Sequence, residues 1–344
     1  MITATIPVQM TTIETGPSTR QQNITTAARP GGLARVARVV IAVGLTALLL
    51  WHSDPRAVWN AARAADWRFI ALACALVALD RVLMAYRWWA LLAPLESRPP
   101  VGTVMRIFFV STFVGTFLPA SVGGDAVRAY GLSKEGVGGV DAVASVLMDR
   151  LLGIISILIV AIAGAMLARD LIDIRALFPA FAVLIVLCAL ALAIVFSPRA
   201  AAAAAQVLAI LPRGRETAER LVQAIQRYAS FHLPMVNVLL CSIAVQVLRV
   251  LQTYCLGLAL GLAVPLGVYF ALVPIILLIV LMPITINGIG TTQAGFVWLF
   301  GRAGVAGAPA FALSVLFLAI AIVGNLPGAF LYVFRGRRTS GVVP

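Results

Sequence analysis

Pro119-Ala120-Ser121-Val122-Gly123-Gly124 breaks one long apolar stretch, at about 102–133. Pro283-Ile284-Thr285-Ile286-Asn287-Gly288-Ile289-Gly290 breaks a second, at about 266–302. Pro removes a backbone donor and Gly favours non-helical dihedrals, so both helices must stop there. The two breaks echo each other: Pro-x-Ser121-Val122-Gly123-Gly124 against Pro-x-Thr285-Ile286-Asn287-Gly288. Working outward, unbroken apolar runs long enough to span a bilayer fall at about 36–51, 68–93, 140–168, 177–197, 235–262 and 309–334.

Composition sets the class. The 344 residues are 62% hydrophobic and 11% charged, with a mean hydropathy of +1.02. A soluble domain carries roughly 25% charged residues. The net charge of +13 does not point to nucleic acid, because the basic residues sit mostly in loops between spans, where they set orientation. Residues 1–32 read as a polar cytoplasmic tail without the apolar core of a signal peptide. Cys74, Cys188, Cys241 and Cys255 lie in apolar runs without metal-site spacing, and His52 and His232 stand at segment ends. No cofactor and no metal site are expected.

Arginine placement decides how the broken stretches run. If each crossed the membrane once, the loop at 198–232, with Arg199, Arg213, Arg215, Arg220 and Arg227, would face outside. That violates the positive-inside rule. If both are re-entrant, 16 of the 26 basic residues are cytoplasmic, six are outside and four lie in spans. Both termini are then cytoplasmic. Three full spans separate the hairpins, an odd number, so the two units are inverted. The expected fold is an all-α polytopic membrane protein: about six full transmembrane helices plus two re-entrant broken-helix hairpins in an inverted repeat. The membrane domain covers 33–335, with a cytoplasmic tail at 336–344. The segment at about 199–231 reads as a cytoplasmic amphipathic helix, with Leu221, Val222, Ile225, Tyr228 and His232 on one face.

Charges inside the spans carry the functional signal. Asp80, Arg81, Asp149, Arg150 and Arg249 lie well within apolar runs. Each costs ~2.5–3.5 kcal/mol on an insertion scale, so five unpaired would cost on the order of 15 kcal/mol. They must pair or line a wet cavity. Neighbours on a helix point about 100° apart, so cross-pairing is expected, Asp80 with Arg150 and Arg81 with Asp149. Purely fold-locking pairs are the alternative. Two Asp cannot neutralise three Arg, and a surplus cation suits an anionic ligand. Arg87, beside Trp88 and Trp89, reads either as snorkelling to the cytoplasmic interface or as functional. Gly123-Gly124-Asp125-x-x-Arg128 opens the returning half of the first hairpin, where free N–H groups and Arg128 would attract phosphate or carboxylate. Asp125 could instead cap that helix. In the second hairpin Thr285, Asn287, Gly288 and Gly290 offer the same backbone device without charge, followed by Gln293.

Arg87-Trp88-Trp89-x-Leu91-Leu92, Leu118-Pro119-x-Ser121-x-Gly123-Gly124-Asp125-x-x-Arg128, Asp149-Arg150-x-x-Gly153 and Pro283-x-Thr285-x-Asn287-Gly288-Ile289-Gly290 resemble the lysylphosphatidylglycerol synthase transmembrane, flippase-like family. The resemblance covers about residues 35–335. It implies movement of a lipid between leaflets of a bacterial cytoplasmic membrane. Two-domain members add a soluble synthase domain; this chain ends soon after its last span, so a stand-alone, non-enzymatic member is expected. Stand-alone members imply polyprenol-linked, glycolipid or phospholipid substrates. Relatives usually carry Glu where this chain has Gln293, so a proton coupled through that acid is not carried over. The expected partners are membrane lipids with an anionic headgroup and, in addition, lipid-biosynthesis enzymes. The rival readings are an integral-membrane glycosyl or lipid transferase, and a non-transporting subunit of an envelope-lipid synthesis complex. No Asp-x-Asp pair and no intramembrane His support the transferase.

Overall fold

A computed structural model describes residues 56, 59–60, 63–95, 98–117, 122–167, 178–208, 215–281 and 288–336. The expected first span at 36–51, both tails and the tips of the two breaks, with Ser121, Thr285 and Asn287, lie outside them. The described residues form eleven α-helices and one 3-10 turn. They are α1 (Trp67–Leu91), α2 (Val101–Phe117), α3 (Val122–Ser133), α4 (Gly139–Leu167), α5 (Phe178–Phe196), α6 (Pro198–Leu208), α7 (Arg215–Gln226), α8 (His232–Ala259), α9 (Leu266–Leu281), α10 (Thr291–Arg302) and α11 (Gly307–Gly336).

Four helices, α1, α4, α8 and α11, are long and apolar enough to cross a membrane alone. The bent pair of α5 and α6, which meet at 105°, is the candidate for a fifth span. Ser197 and Pro198 make that bend: the Ser197 hydroxyl accepts from the Ala200 N–H, and Pro198 tolerates the first helical position. The amphipathic segment is therefore two helices, α6 and α7, rather than one over 199–231. Its apolar face docks as the spacing predicts, with Val222 and Tyr228 buried. Arg227 ties it to Asp141 in the first turn of α4.

The broken stretches are hairpins. Along α2 and α3, Gly115 lies against Gly124, Ile107 against Gly131, and Arg106 pairs with Glu135 at 3.0 Å. Rising numbers on one helix meet falling numbers on the other, so the helices run antiparallel. The same holds for α9 and α10: Val280 faces Gly288, Ile276 faces Gly295, and the Tyr269 and Phe300 rings stand 5.1 Å apart. A helix of 12 residues rises about 18 Å, well short of a hydrocarbon core of about 30 Å.

Helix α1 packs most closely on α8, also antiparallel, with Asp80 beside Arg249 and Arg87 beside Ser242. Helix α4 crosses α9 where Gly164 meets the Phe270 carbonyl, and α11 crosses α2 where Gly328 meets the Phe109 carbonyl. A Cβ at either glycine would overlap that carbonyl. One apolar core, with Tyr269, Leu272, Ile276, Phe296 and Phe300, fills the space around the second hairpin. A smaller one, with Trp88, Leu92, Phe108 and Leu132, lies beside the first.

Candidate functional site

Asp80 and Arg87 stand seven residues apart on α1, two helical turns, and so share a face. On α8, Arg249 and Ser242 share a face by the same spacing, in the opposite direction. Packing the two helices antiparallel therefore sets Asp80 against Arg249 at 3.4 Å and Arg87 against Ser242 at 3.1 Å. Asp149 then enters from α4. Its carboxylate takes Arg87 Nη2 at 2.6 Å and Arg128 Nη1, from α3, at 2.9 Å. Arg150 Nε donates to Asp125 at 2.7 Å, and Arg81 folds back onto Asp80 at 3.1 Å.

The pairing differs from the expected crossing. Asp80 binds Arg81 and Arg249, not Arg150; Asp149 binds Arg87 and Arg128, not Arg81. The helix-direction argument fails for Asp80 and Arg81 because the long guanidinium arm bends back over its neighbour. The interface reading of Arg87 is also overturned: the residue is 4% exposed and faces inward. Asp125 serves as the partner of Arg150.

These groups line one cavity of about 230 Å³, between α1, α2, α3, α4 and α8, closed by Leu281 of α9 and Asn325 of α11. Of the residues expected at the site, Gly124, Asp125, Arg128, Asp149, Arg150 and Arg249 line it. Asp80 and Arg81 join it through Arg249. Gly123 lies in the first turn of α3, beside Gly124. Of the second-hairpin residues expected there, the described ones, Gly288, Gly290 and Gln293, do not line it. Gly288 and Gly290 adopt positive φ angles of 74° and 87°, conformations that favour Gly. Gln293 is buried and accepts the Gly290 N–H at 2.6 Å, capping α10. A Glu at that position could accept the same bond.

Five arginines (81, 87, 128, 150, 249) and three aspartates (80, 125, 149) make up the network, a surplus of two positive charges. Arg128 also lies over Phe108 and Trp88, 4.8 Å and 5.1 Å from the ring centroids. The buried Nε–H groups of Arg87 and Arg128 meet no acceptor among the described residues. Gln246 Oε1 and Asn325 Oδ1, both acceptors, are likewise buried without a partner among those residues. Among the described residues the site therefore holds more cations than anions.

The polar residues Ser111, Thr112, Thr116, Gln246 and Asn325 also line the cavity, and the sequence reading does not single them out. Gln246 and Asn325 each interrupt a long apolar helix, and that is the signal that could have found them. Hydroxyl chains fix their orientation. Ser156 donates to the Gly153 carbonyl, so its oxygen can only accept from Gln246 Nε2. Thr116 donates to the Thr112 carbonyl and accepts from Asn325 Nδ2.

Hairpins, long apolar helices and an enclosed cationic chamber define a multi-pass membrane protein with a polar site inside its helical bundle. The chain belongs to the family described as the lysylphosphatidylglycerol synthase TM region, whose pattern matches residues 35–328. Membership gives it an integral-membrane role in lipid handling. No curated protein matches the chain.

Proposed function

We propose that this protein moves an anionic lipid between the leaflets of the cytoplasmic membrane, without catalysing a covalent reaction. The observation that carries the reading is the surplus of two cations, among the described residues, around a cavity set between apolar helices. An anionic headgroup offsets that surplus and accepts from the Nε–H groups of Arg87 and Arg128, while the acyl chains stay in lipid. Arg87, Arg128, Arg150 and Arg249 hold the phosphate; Ser111, Thr112 and Asn325 form the polar floor.

An inverted repeat supports alternating access. Exchanging α1–α4 with α8–α11 maps the packing onto itself: α1 on α8 is its own partner, and α4 on α9 becomes α11 on α2. The same 164-residue separation divides Pro119 from Pro283, Gly124 from Gly288 and Gly164 from Gly328. Each of the last two glycines crosses the opposite hairpin. Antiparallel α1 and α8 are what two inverted units would place at their centre. The arginine distribution supports a topology with both termini in the cytoplasm.

The test is leaflet exchange of fluorescent phosphatidylglycerol in proteoliposomes, read by dithionite quenching. Wild type is expected to accelerate exchange over empty vesicles. Replacing Arg128 or Arg249 by Gln is expected to remove most of that acceleration. Wild-type rates equal to empty vesicles across a panel of anionic lipids would defeat the proposal.

A further inference from the structure

The polar cavity does not end at Arg150 and Asp125. The same two residues, with Ile154 and Leu281, line an adjoining groove of about 450 Å³ between α3, α4 and the end of α9. Beyond them the lining turns apolar: Ala126 and Ala129 on α3, Val143 and Leu147 on α4. Small side chains on one wall and branched ones on the other leave a furrow. Val143 and Leu147 are 41% and 44% exposed on the outside of the bundle. Along α4 the groove runs from 143 to 154, about 16 Å of helix rise, close to the ~15 Å depth of one leaflet.

The Arg150–Asp125 pair differs from the others in the network. Its side chains are 37% and 16% exposed, against 5% and 4% for Arg87 and Asp149. It lines both the apolar groove and the cationic chamber. An apolar channel joined at a charged threshold to a polar chamber has the outline of an amphiphile.

We infer that the α3–α4 groove is the lateral entrance for the lipid. One acyl chain lies against Ala126, Ala129, Val143 and Leu147, and the phosphate passes inward at Arg150, exchanging Asp125 for a phosphate oxygen. Asp125 holds the guanidinium in place while no lipid is bound and is released when the phosphate arrives. The inference rests on the lipid reading above and names the side of the molecule by which that lipid comes and goes.

The test uses the full chain in nanodiscs of phosphatidylcholine with a minor fraction of phosphatidylglycerol. The photo-crosslinking residue p-benzoylphenylalanine replaces Leu147 or, as a control on another lipid-facing helix, Val186, which is 56% exposed. Mass spectrometry counts the lipid adducts. At position 147 phosphatidylglycerol adducts are expected several-fold above their share of the bilayer, saturating as that share rises; at 186 they follow the bulk ratio. Arg150→Gln is expected to abolish the enrichment, and Asp125→Asn, which leaves the arginine in place, to keep or raise it. Adducts at 147 that follow the bulk ratio, enrichment unchanged by Arg150→Gln, or enrichment lost in Asp125→Asn would each overturn the entrance. Enrichment without leaflet exchange removes transport and leaves the groove; exchange without enrichment does the reverse.

Discussion

Replacing Asp149 by Asn keeps the side chain's shape and removes its charge. The carboxylate is almost fully buried and carries two guanidinium groups, Arg87 at 2.6 Å and Arg128 at 2.9 Å. Both arginines are themselves buried, at 4% and 7% exposure, so neither can turn to water without moving a helix. Breaking one buried pair typically costs 3–5 kcal/mol, because the partner is left charged and uncompensated. Here one substitution strips two partners, but Asn can still accept a hydrogen bond, so about 3–5 kcal/mol is expected overall. Unfolding of the purified protein in mixed micelles measures it. A double-mutant cycle gives the sharper answer. Asp149→Asn combined with Arg87→Gln is expected to recover part of the loss, with a coupling between about 0.5 and 3 kcal/mol. Combined with Arg81→Gln, whose guanidinium bonds to Asp80 instead, the coupling is expected to stay within about 0.5 kcal/mol. A cost below ~1 kcal/mol for Asp149→Asn, or a larger coupling to Arg81 than to Arg87, would refute the pairing and its energetics.

Gly164→Ala and Gly328→Ala each drive a Cβ into a backbone carbonyl of the opposite hairpin, so each is expected to destabilise the fold by about 1–3 kcal/mol, read as a lower melting temperature in detergent. Gln293→Leu removes the acceptor of the Gly290 N–H and is expected to lose about 0.5–2 kcal/mol in the same assay. Arg106→Gln removes a partly exposed pair with Glu135, outside the charged network, and is expected to cost no more than about 1 kcal/mol and to leave leaflet exchange unchanged.

Local rules made the elements legible. Pro119 and Pro283 end apolar helices for a covalent reason, so both breaks could be located from composition alone. The charge count then separated hairpins from single crossings, because lipid imposes one long-range rule on where Arg is tolerated. The ion pairs were not legible. Which carboxylate meets which guanidinium depends on helix rotation and crossing, and the crossings are set by contacts such as Gly164 on Phe270 and Gly328 on Phe109. Arg87 shows the limit most clearly. Two neighbouring Trp residues suggested an interface, yet the seven-residue spacing from Asp80 placed it inward. Gln246 and Asn325 went unread because a single amide in a span carries little penalty and so little signal.

The proposed repeat and the site do not share a symmetry. At the 164-residue separation, Arg128 corresponds to Thr292, Asp149 to Leu313 and Arg150 to Ser314. All three counterparts are buried, and Leu313 belongs to the large apolar core around the second hairpin. The polar chamber thus belongs to one half, and the other half offers a packed wall, whose described residues reach the cavity through Arg249 and Gln246 on α8, Leu281 and Asn325. If the halves rock against each other, as the transport proposal requires, the headgroup travels with α3 and α4. The contacts that change are then those made by the three helices α8, α9 and α11. Among the described residues that line the cavity, Arg249 is the one cation on the far side of that boundary, held by Asp80 of the near side at 3.4 Å. Its release from the phosphate as the halves part would weaken binding on the exit side, so its removal should slow exchange by trapping or excluding lipid rather than by unfolding the chamber.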